Sequence, residues 1–124
     1  MTSDIRDMIQ ALRTIEAILR KYGLGERNVI TAAIAEAEAG KPGFADGLAG
    51  LTVWGGSGSL ADIELKASRL AQPDTASDQR AFQEALIVLA DYLNAHEVGT
   101  ESMRARAREI AVTFRRWNET IYRA

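Results

Sequence analysis

Apolar residues recur every three or four positions along most of this chain, which is the spacing of one face of an α-helix. The pattern predicts a first helix over residues 3–22, with Ser3 as its N-cap and Gly23 as the left-handed residue that ends it. A second helix is predicted from a cap at Asn28 to about Ala39. The apolar positions of the two helices are Ile5, Met8, Ile9, Leu12, Ile15, Leu19 and Tyr22, then Val29, Ile30, Ala33, Ile34 and Ala37.

The middle of the chain breaks this pattern. Glycine and proline in residues 40–43 end the second helix, because proline cannot continue a helix. Residues 44–53 carry a shorter apolar pattern that is interrupted by glycine. We expect one or two helical turns here, followed by an extended piece that leads into Trp54.

A glycine-rich turn, Trp54-Gly55-Gly56-Ser57-Gly58-Ser59, comes next. Ser59 and Asp62 have the spacing of a capping box, in which the serine hydroxyl accepts a hydrogen bond from a free amide at the start of a helix. This predicts a third main helix from Leu60 toward Ala71. The alternative is a strand over residues 62–66, because apolar and charged residues alternate there.

Two long helices are predicted in the second half of the chain. Thr75 is the predicted cap of a helix whose wide apolar stripe is typical of the central helix of a bundle. Thr100 is the predicted cap of a last helix with a seam of nearly coiled-coil regularity, on which we expect Phe114 and Trp117 to be buried. The apolar positions are Ala81, Phe82, Ala85, Leu86, Leu89, Tyr92 and Leu93, then Met103, Ala107, Ile110, Phe114, Trp117 and Ile121.

Length and composition limit the fold and the compartment. A chain of 124 residues suits one domain, so we predict an all-α fold in which residues 1–124 form a single helical bundle of about five helices. The start of the chain lacks the basic and apolar run of a signal peptide, and no stretch has the length of a membrane span. With no cysteine, a cytoplasmic protein that does not enter a membrane is the expectation.

Charge and residue types also limit the chemistry. The net charge of −2 does not favour nucleic acid as a partner. The absence of cysteine and the single histidine leave only carboxylate-rich sites for a metal. No catalytic constellation is evident, so we expect a non-enzymatic protein without a cofactor or a bound metal.

The glycine-rich turn is the strongest candidate for function. Its glycines indicate positive φ angles or contacts too close for a Cβ atom. A structural turn that lets the main chain pass close under Trp54 explains them, and a turn that faces a partner is an alternative. A third hypothesis is phosphate binding by the amides of Gly55 to Ser59 at the start of a helix. Against it, Gly58 is not followed by the lysine of a P-loop, and Asp62 would repel a phosphate.

The same stretch resembles the hallmark of a family of small, mostly helical bacterial proteins of unknown function. The positions that match are Gly55, Gly56, Gly58, Ser59, Leu60 and Asp62. Position 61 is alanine, where that pattern leads us to expect a polar residue such as asparagine. Members are similar to small proteins encoded near bacterial polymorphic toxins, so the resemblance implies an immunity protein that neutralises a toxin, or another binding role. It implies no activity.

Three other features have simple interpretations. The carboxylate pairs Asp62 with Glu64 and Glu36 with Glu38 are interpreted as solvated charges, since residues two apart do not share a helix face. We expect His96 to interact with the C-terminus of its helix. The arginines of the last helix are interpreted as a charged outer face, with an acidic protein favoured over nucleic acid if they bind a partner.

The sequence thus gives three hypotheses for function. The first is a binding protein whose partner is another protein, with a cognate toxin as the example. The second is a small-ligand or phosphate-binding site at the glycine-rich turn, which would need a concave pocket with convergent polar groups. The third is a homo-oligomer that pairs through the last helix. The predicted ligand or partner contacts are Trp54, Gly55, Gly56, Ser57, Gly58, Ser59, Asp62 and Glu64.

Overall fold

Four long helices dominate the fold. The structure is a computed structural model that describes residues 3–24, 28–56, 58–65 and 73–120. The described part contains only helices and loops, which confirms the all-α prediction. In chain order the helices are α1 (Ser3–Lys21), α2 (Asn28–Glu38), a 3₁₀ turn (Asp46–Ala49), α3 (Leu51–Trp54), a second 3₁₀ turn (Leu60–Asp62), α4 (Thr75–Ala95) and α5 (Glu101–Thr120).

Helix α4 lies at the centre, as its wide apolar stripe predicts. It packs against both α1 and α5, and α1 also packs against α2. Phe82, Leu86 and Leu89 of α4 are fully or almost fully buried, and α1 contributes Met8 and Leu12 to the same core. The stripe is wide because helices cover it from two sides.

The first two helices follow the sequence pattern closely. Gly23 has a φ of 62° after the end of α1, and Gly40 has a φ of 73° after the end of α2. Both are left-handed residues that end a helix, which is a conformation that favours glycine. The side chain of Ser3 lies outside the described part, so its predicted capping role is not tested. Asn28, the other predicted cap, is the first residue of α2, and the residues before it lie outside the described part.

The middle of the chain differs from the prediction in two places. The expected extended piece before Trp54 is wrong, because α3 is a helical turn that includes Trp54. The predicted main helix from Leu60 is also wrong as far as Leu65, since the 3₁₀ turn ends at Asp62 and Ile63 is extended, with a ψ of 128°. Leu60 and Leu65 are both fully buried. Their burial in the shared core overrides the local helical tendency, and the rest of the predicted helix lies outside the described residues.

The two predicted threonine caps have different outcomes. The Oγ1 of Thr100 accepts a hydrogen bond from the amide of Met103 at 3.1 Å, so this cap is confirmed. Thr75 is inside α4, and Asp74 is the N-cap residue, without a side-chain capping bond. Thr75 is instead buried, 3.1 Å from the hydroxyl of Tyr22. A tertiary contact therefore replaces the local one.

A polar cluster joins the end of α1 to the start of α4. The hydroxyl of Tyr22 donates to Oδ2 of Asp78 at 2.6 Å. The ammonium of Lys21 lies 2.8 Å from Asp74 and 2.7 Å from Asp78. Burial, and then the bond to Asp78, raises the pKa of the Tyr22 hydroxyl. The bonds to the two carboxylates raise the pKa of Lys21, and the bond to Lys21 lowers the pKa of Asp74.

The seam of α5 is shifted from the predicted one. Ala107, Ala111, Phe114 and Asn118 are the buried positions of this helix. Trp117 is 39% exposed, so the prediction that it is buried is wrong. The buried positions follow spacings of four and three that favour position 118 over 117, because α4 contacts α5 along that line.

Candidate functional site

The glycine-rich turn adopts a conformation that requires glycine. A Cβ atom at Gly55 would overlap the carbonyl of Leu51, to which the Gly55 amide donates at 2.7 Å. Gly56 has a φ of 92° and Gly58 a φ of 84°, in the left-handed region. Close approach and positive φ, the two conformational reasons expected from the sequence, are therefore both present.

The amides of the turn are largely used within the turn itself. The amide of Ser59 donates to the carbonyl of Gly56 at 2.9 Å, and the amide of Gly58 donates to Oδ2 of Asp62 at 3.4 Å. A phosphate would have to displace these bonds, and the second also brings a carboxylate to the place that the anion would occupy. The helix behind the turn is one 3₁₀ turn of three residues, which provides little helix dipole.

Trp54 fixes the turn to its surroundings. Its ring is fully buried, and its Nε1 donates to the carbonyl of Leu48 at 2.8 Å. Its own carbonyl accepts a hydrogen bond from Nε of Arg106, which projects from α5. The turn is therefore held against the last helix by a residue that sequence analysis assigned only to a charged outer face.

A cavity of about 860 Å³ lies between this turn, the segment that follows it, α4 and α5. We call it the turn cavity. Its wall combines aromatic rings, polar side chains and charged side chains from these elements. The lining residues are Trp54, Gly56, Ser59, Ala61, Asp62, Ile63, Glu64, Gln79, Gln83, Arg106, Glu109, Ile110, Thr113, Phe114 and Trp117.

Two glutamines one helical turn apart on α4 line the turn cavity, and they differ in one respect. Both are 3% exposed. The Oε1 of Gln79 accepts from the amide of Leu65 at 2.7 Å, and its Nε2 donates to the carbonyl of Ile63 at 3.2 Å. The Oε1 of Gln83 has no hydrogen-bond partner among the described residues. Gln79 therefore fixes the chain after the turn, whereas Gln83 presents an unpaired acceptor.

Ser59 provides a second unpaired group on another wall. It is 4% exposed, and its Oγ has no hydrogen-bond partner within the described part of the chain. The predicted capping role of Ser59 is therefore wrong, because the 3₁₀ turn has no side-chain capping bond. A buried polar atom without a partner costs about 1–3 kcal/mol. Such an atom beside a cavity is a place where a ligand's hydrogen bond would recover that cost.

Acidic side chains dominate the charge around the turn cavity. Asp62, Glu64 and Glu109 are exposed, and Arg106 is the cation among the lining residues. Among the described lining residues, three carboxylates and one guanidinium give a net charge of −2. The field at the cavity therefore opposes an anionic ligand.

The structure brings most of the predicted site residues together. Trp54, Gly56, Ser59, Asp62 and Glu64 all line the turn cavity. The neighbouring Gly55 and Gly58 shape the turn without lining the cavity, and Ser57 lies outside the described residues. The roles of these residues in binding stay predictions.

The half of the site that α4 and α5 provide was not predicted from the sequence. Gln79 and Gln83 occupy core-facing positions of α4, between buried apolar residues such as Phe82 and Leu86. The sequence did contain a signal for this half of the site, namely two polar residues on the apolar stripe of a central helix. Trp117 was assigned to the core, although its exposure places it at the cavity instead.

The remaining candidates have structural roles. Nε2 of His96 lies 3.3 Å from Asp4, and its ring stacks on Tyr92 at the end of α4. Several α5 arginines bond within the chain, including Arg115, whose Nη2 is 2.6 Å from Asp91. Glu38, of the predicted carboxylate pairs, bonds Arg13 at 2.7 Å.

The comparisons with known proteins do not assign this chain to a family. No family model matches the chain, and no curated protein or solved structure is significantly similar to it. The described helices include none that is long and apolar enough to cross a membrane. In the same part of the chain, acidic and histidine side chains form no group of three or more that could hold a metal ion.

Proposed function

We propose that this protein binds a small organic molecule in the turn cavity. Three buried side-chain oxygens have no hydrogen-bond partner among the described residues, on Ser59, Gln83 and Asn118. The observation that carries the proposal is that two of them, Ser59 Oγ and Gln83 Oε1, belong to residues on two walls of one cavity. Native proteins bond nearly all their buried polar atoms, so each unpaired one calls for an explanation, and a ligand or water that completes the bonding is one. A cavity of about 860 Å³ is within the range of small-molecule sites.

The aromatic side chains support the same proposal. Trp54 and Phe114 are buried beside the cavity, and Trp117 remains 39% exposed there. Large apolar rings supply most of the binding energy in small-molecule sites, and a few polar groups fix the orientation. The mixture of three rings with two unpaired oxygens fits a ligand with an apolar body and at least one hydrogen-bond donor.

Titration with a neutral aromatic alcohol, phenethyl alcohol, tests this proposal. The chain has two tryptophans and both line the cavity, so intrinsic fluorescence reports binding. We expect saturable quenching at millimolar alcohol. Nitrogen-15 NMR should show shifts for the indole N–H of Trp117 and the side-chain amide of Gln83.

Variants connect the signal to the cavity. Ser59→Ala and Gln83→Leu remove the unpaired oxygens, and each should weaken alcohol binding by about threefold or more, the value of one hydrogen bond. Ser77→Ala makes the same change as Ser59→Ala at an exposed position of α4 and should have no effect. Shifts confined to residues outside the turn cavity would contradict the proposal.

Binding of another protein, with a cognate toxin as the example, is a second proposal with its own supporting surface. A groove of about 600 Å³ between α1 and α4 is lined by Asp4, Asp7, Glu84 and Asp91, with no lysine or arginine among the described lining residues. Glu84 and Asp91 are paired with Arg80 and Arg115, so Asp4 and Asp7 give the groove most of its free negative charge. It would suit a basic segment of a partner. Co-purification with the product of the neighbouring reading frame, and its loss in Asp7→Lys, would support this proposal, and normal co-purification of the variant would contradict the groove's role.

Pairing of two copies through the last helix has less support. Most of the apolar seam of α5 is buried within the chain, where Ala107, Ala111 and Phe114 are at most 5% exposed. Val112 and Trp117 are the large apolar side chains of α5 that remain exposed, among the residues described. Homo-oligomerisation stays a prediction, which sedimentation of the purified protein would test.

A further inference from the structure

We infer that the turn cavity selects organic cations, an inference that rests on the proposed function of the same cavity. Its described lining residues carry three carboxylates, on Asp62, Glu64 and Glu109, and one guanidinium, on Arg106. The unpaired oxygens of Ser59 and Gln83 are evidence, independent of this charge, that the cavity takes a ligand. The charge of the lining then determines which charge the preferred ligand carries.

The depth of each group indicates how such a ligand would lie. The three carboxylates are exposed, whereas Ser59 and Gln83 are almost fully buried. A cation loses least hydration when it stays near the surface, so the charged group belongs near the carboxylates. The rings of Phe114 and Trp117 contact each other, with their centroids 5.9 Å apart, so the apolar body would lie against the exposed ring of Trp117. A donor group would reach the oxygen of Gln83, which can only accept.

The exposed ring of Trp117 adds a second attraction for a cation. It lines the same cavity as Glu109 on α5, two helical turns away along that helix. The face of a tryptophan ring attracts an ammonium group within about 6 Å. Eight residues correspond to about 12 Å along a helix axis, so the carboxylate of Glu109 and the ring of Trp117 provide two separate attractive positions for a cation.

Arg106 does not reverse this preference, because its guanidinium is already engaged. Its Nε donates to the carbonyl of Trp54. Its Nη2 lies close to Gly56, 3.3 Å from where a Cβ atom of that residue would be. The positive charge is therefore held at the turn, while the carboxylates outnumber it around the rest of the lining.

Three probes that share a phenethyl group and differ in charge test whether the charge of the ligand affects its affinity. They are phenethylamine, a cation, phenethyl alcohol, which is neutral, and hydrocinnamate, an anion. One unit of net charge at about 6 Å in a water-like dielectric changes affinity by about threefold. With a net charge of −2 around the cavity, phenethylamine should bind about tenfold tighter than the alcohol, and hydrocinnamate should bind more weakly than the alcohol. The difference should shrink in high salt.

A matched pair of variants assigns the preference to the cavity. Glu109→Gln should reduce the affinity for phenethylamine by about threefold and narrow the ratio of amine to alcohol affinity. Glu101→Gln makes the same change on the same helix, at an exposed residue that does not line the cavity, and should leave both affinities unchanged.

The outcomes separate this inference from the proposed function. If the alcohol binds in the turn cavity and the amine binds no tighter, the cation inference is wrong and the proposed function stands. If hydrocinnamate binds tightest, Arg106 controls the ligand's charge and the inference is also overturned. If none of the three probes perturbs the cavity, the proposed function fails as well.

Discussion

Replacing Ser59 by alanine should stabilise the unliganded protein, which is the reverse of the usual effect of removing a buried polar group. Ser59 is 4% exposed, and its hydroxyl has no partner among the described residues. Its backbone amide donates to Gly56 and is unaffected by the change. Removing an unpaired buried hydroxyl recovers part of its desolvation cost, which we take as about 1 kcal/mol.

Thermal denaturation followed by far-ultraviolet circular dichroism measures this gain. For 124 residues, an unfolding entropy of about 2.1 cal/mol/K per residue gives about 0.26 kcal/mol/K, so 1 kcal/mol shifts the Tm by about 4 °C. Ser59→Ala should therefore melt about 4 °C higher than the parent. Urea denaturation at constant m-value would confirm that stability itself has changed.

Thr100→Ala is the matched control, because sequence analysis predicted the same capping role for both residues. The Oγ1 of Thr100 accepts a hydrogen bond from the amide of Met103 at 3.1 Å, so its loss should cost about 1 kcal/mol and lower the Tm by about 4 °C. A Tm of Ser59→Ala that falls as far as that of Thr100→Ala would show that the Ser59 hydroxyl is bonded. The reasoning from unpaired oxygens to a ligand would then be refuted for this residue.

Two further predictions concern the turn and the cluster at the end of α1. Gly55→Ala should destabilise by about 2 kcal/mol or more, because its Cβ would overlap the carbonyl of Leu51, and urea denaturation would measure the loss. An unchanged midpoint would show that the turn can move aside. For the cluster, the folded pKa values of Tyr22 and Lys21 are both raised, so their stabilising contributions are complete below about pH 10 and are lost as pH rises through the folded values. The Tm should thus fall above about pH 10, and less steeply in Tyr22→Phe; equal slopes would contradict the role of Tyr22.

The helices that the sequence predicted well are those with a long apolar period. For α1 and α4, many apolar positions repeat at helical spacing, so the pattern determines both the helix and its buried face. The stop at Gly23 was predictable for a similar reason, since its φ of 62° is a local property that favours glycine. Short segments carry few repeats. The segment from Leu60 to Leu65 has too few apolar residues to distinguish a helical period from a strand period. The structure shows a 3₁₀ turn followed by extended chain.

Capping illustrates the boundary between local and tertiary information. Ser59, Thr75 and Thr100 were all predicted to cap helices, and only Thr100 makes the predicted bond. The hydroxyl of Thr75 is next to Tyr22, more than 50 residues away in the chain, at a distance of 3.1 Å. Local sequence indicates that a hydroxyl is available, but the partner depends on which distant residue the fold brings near it.

The sequence by itself determined the all-α class, the long helices and the need for glycine at the turn, because periodicity and backbone sterics act over a few neighbouring residues. Only the tertiary structure decided that Gln79 is bonded and Gln83 is not, although both are buried glutamines one turn apart. It also brought Arg106 and Trp117 to the turn, across more than 40 residues of chain. A cavity exists between elements that are distant in sequence, so its shape, charge and unpaired atoms follow from packing and from no local pattern.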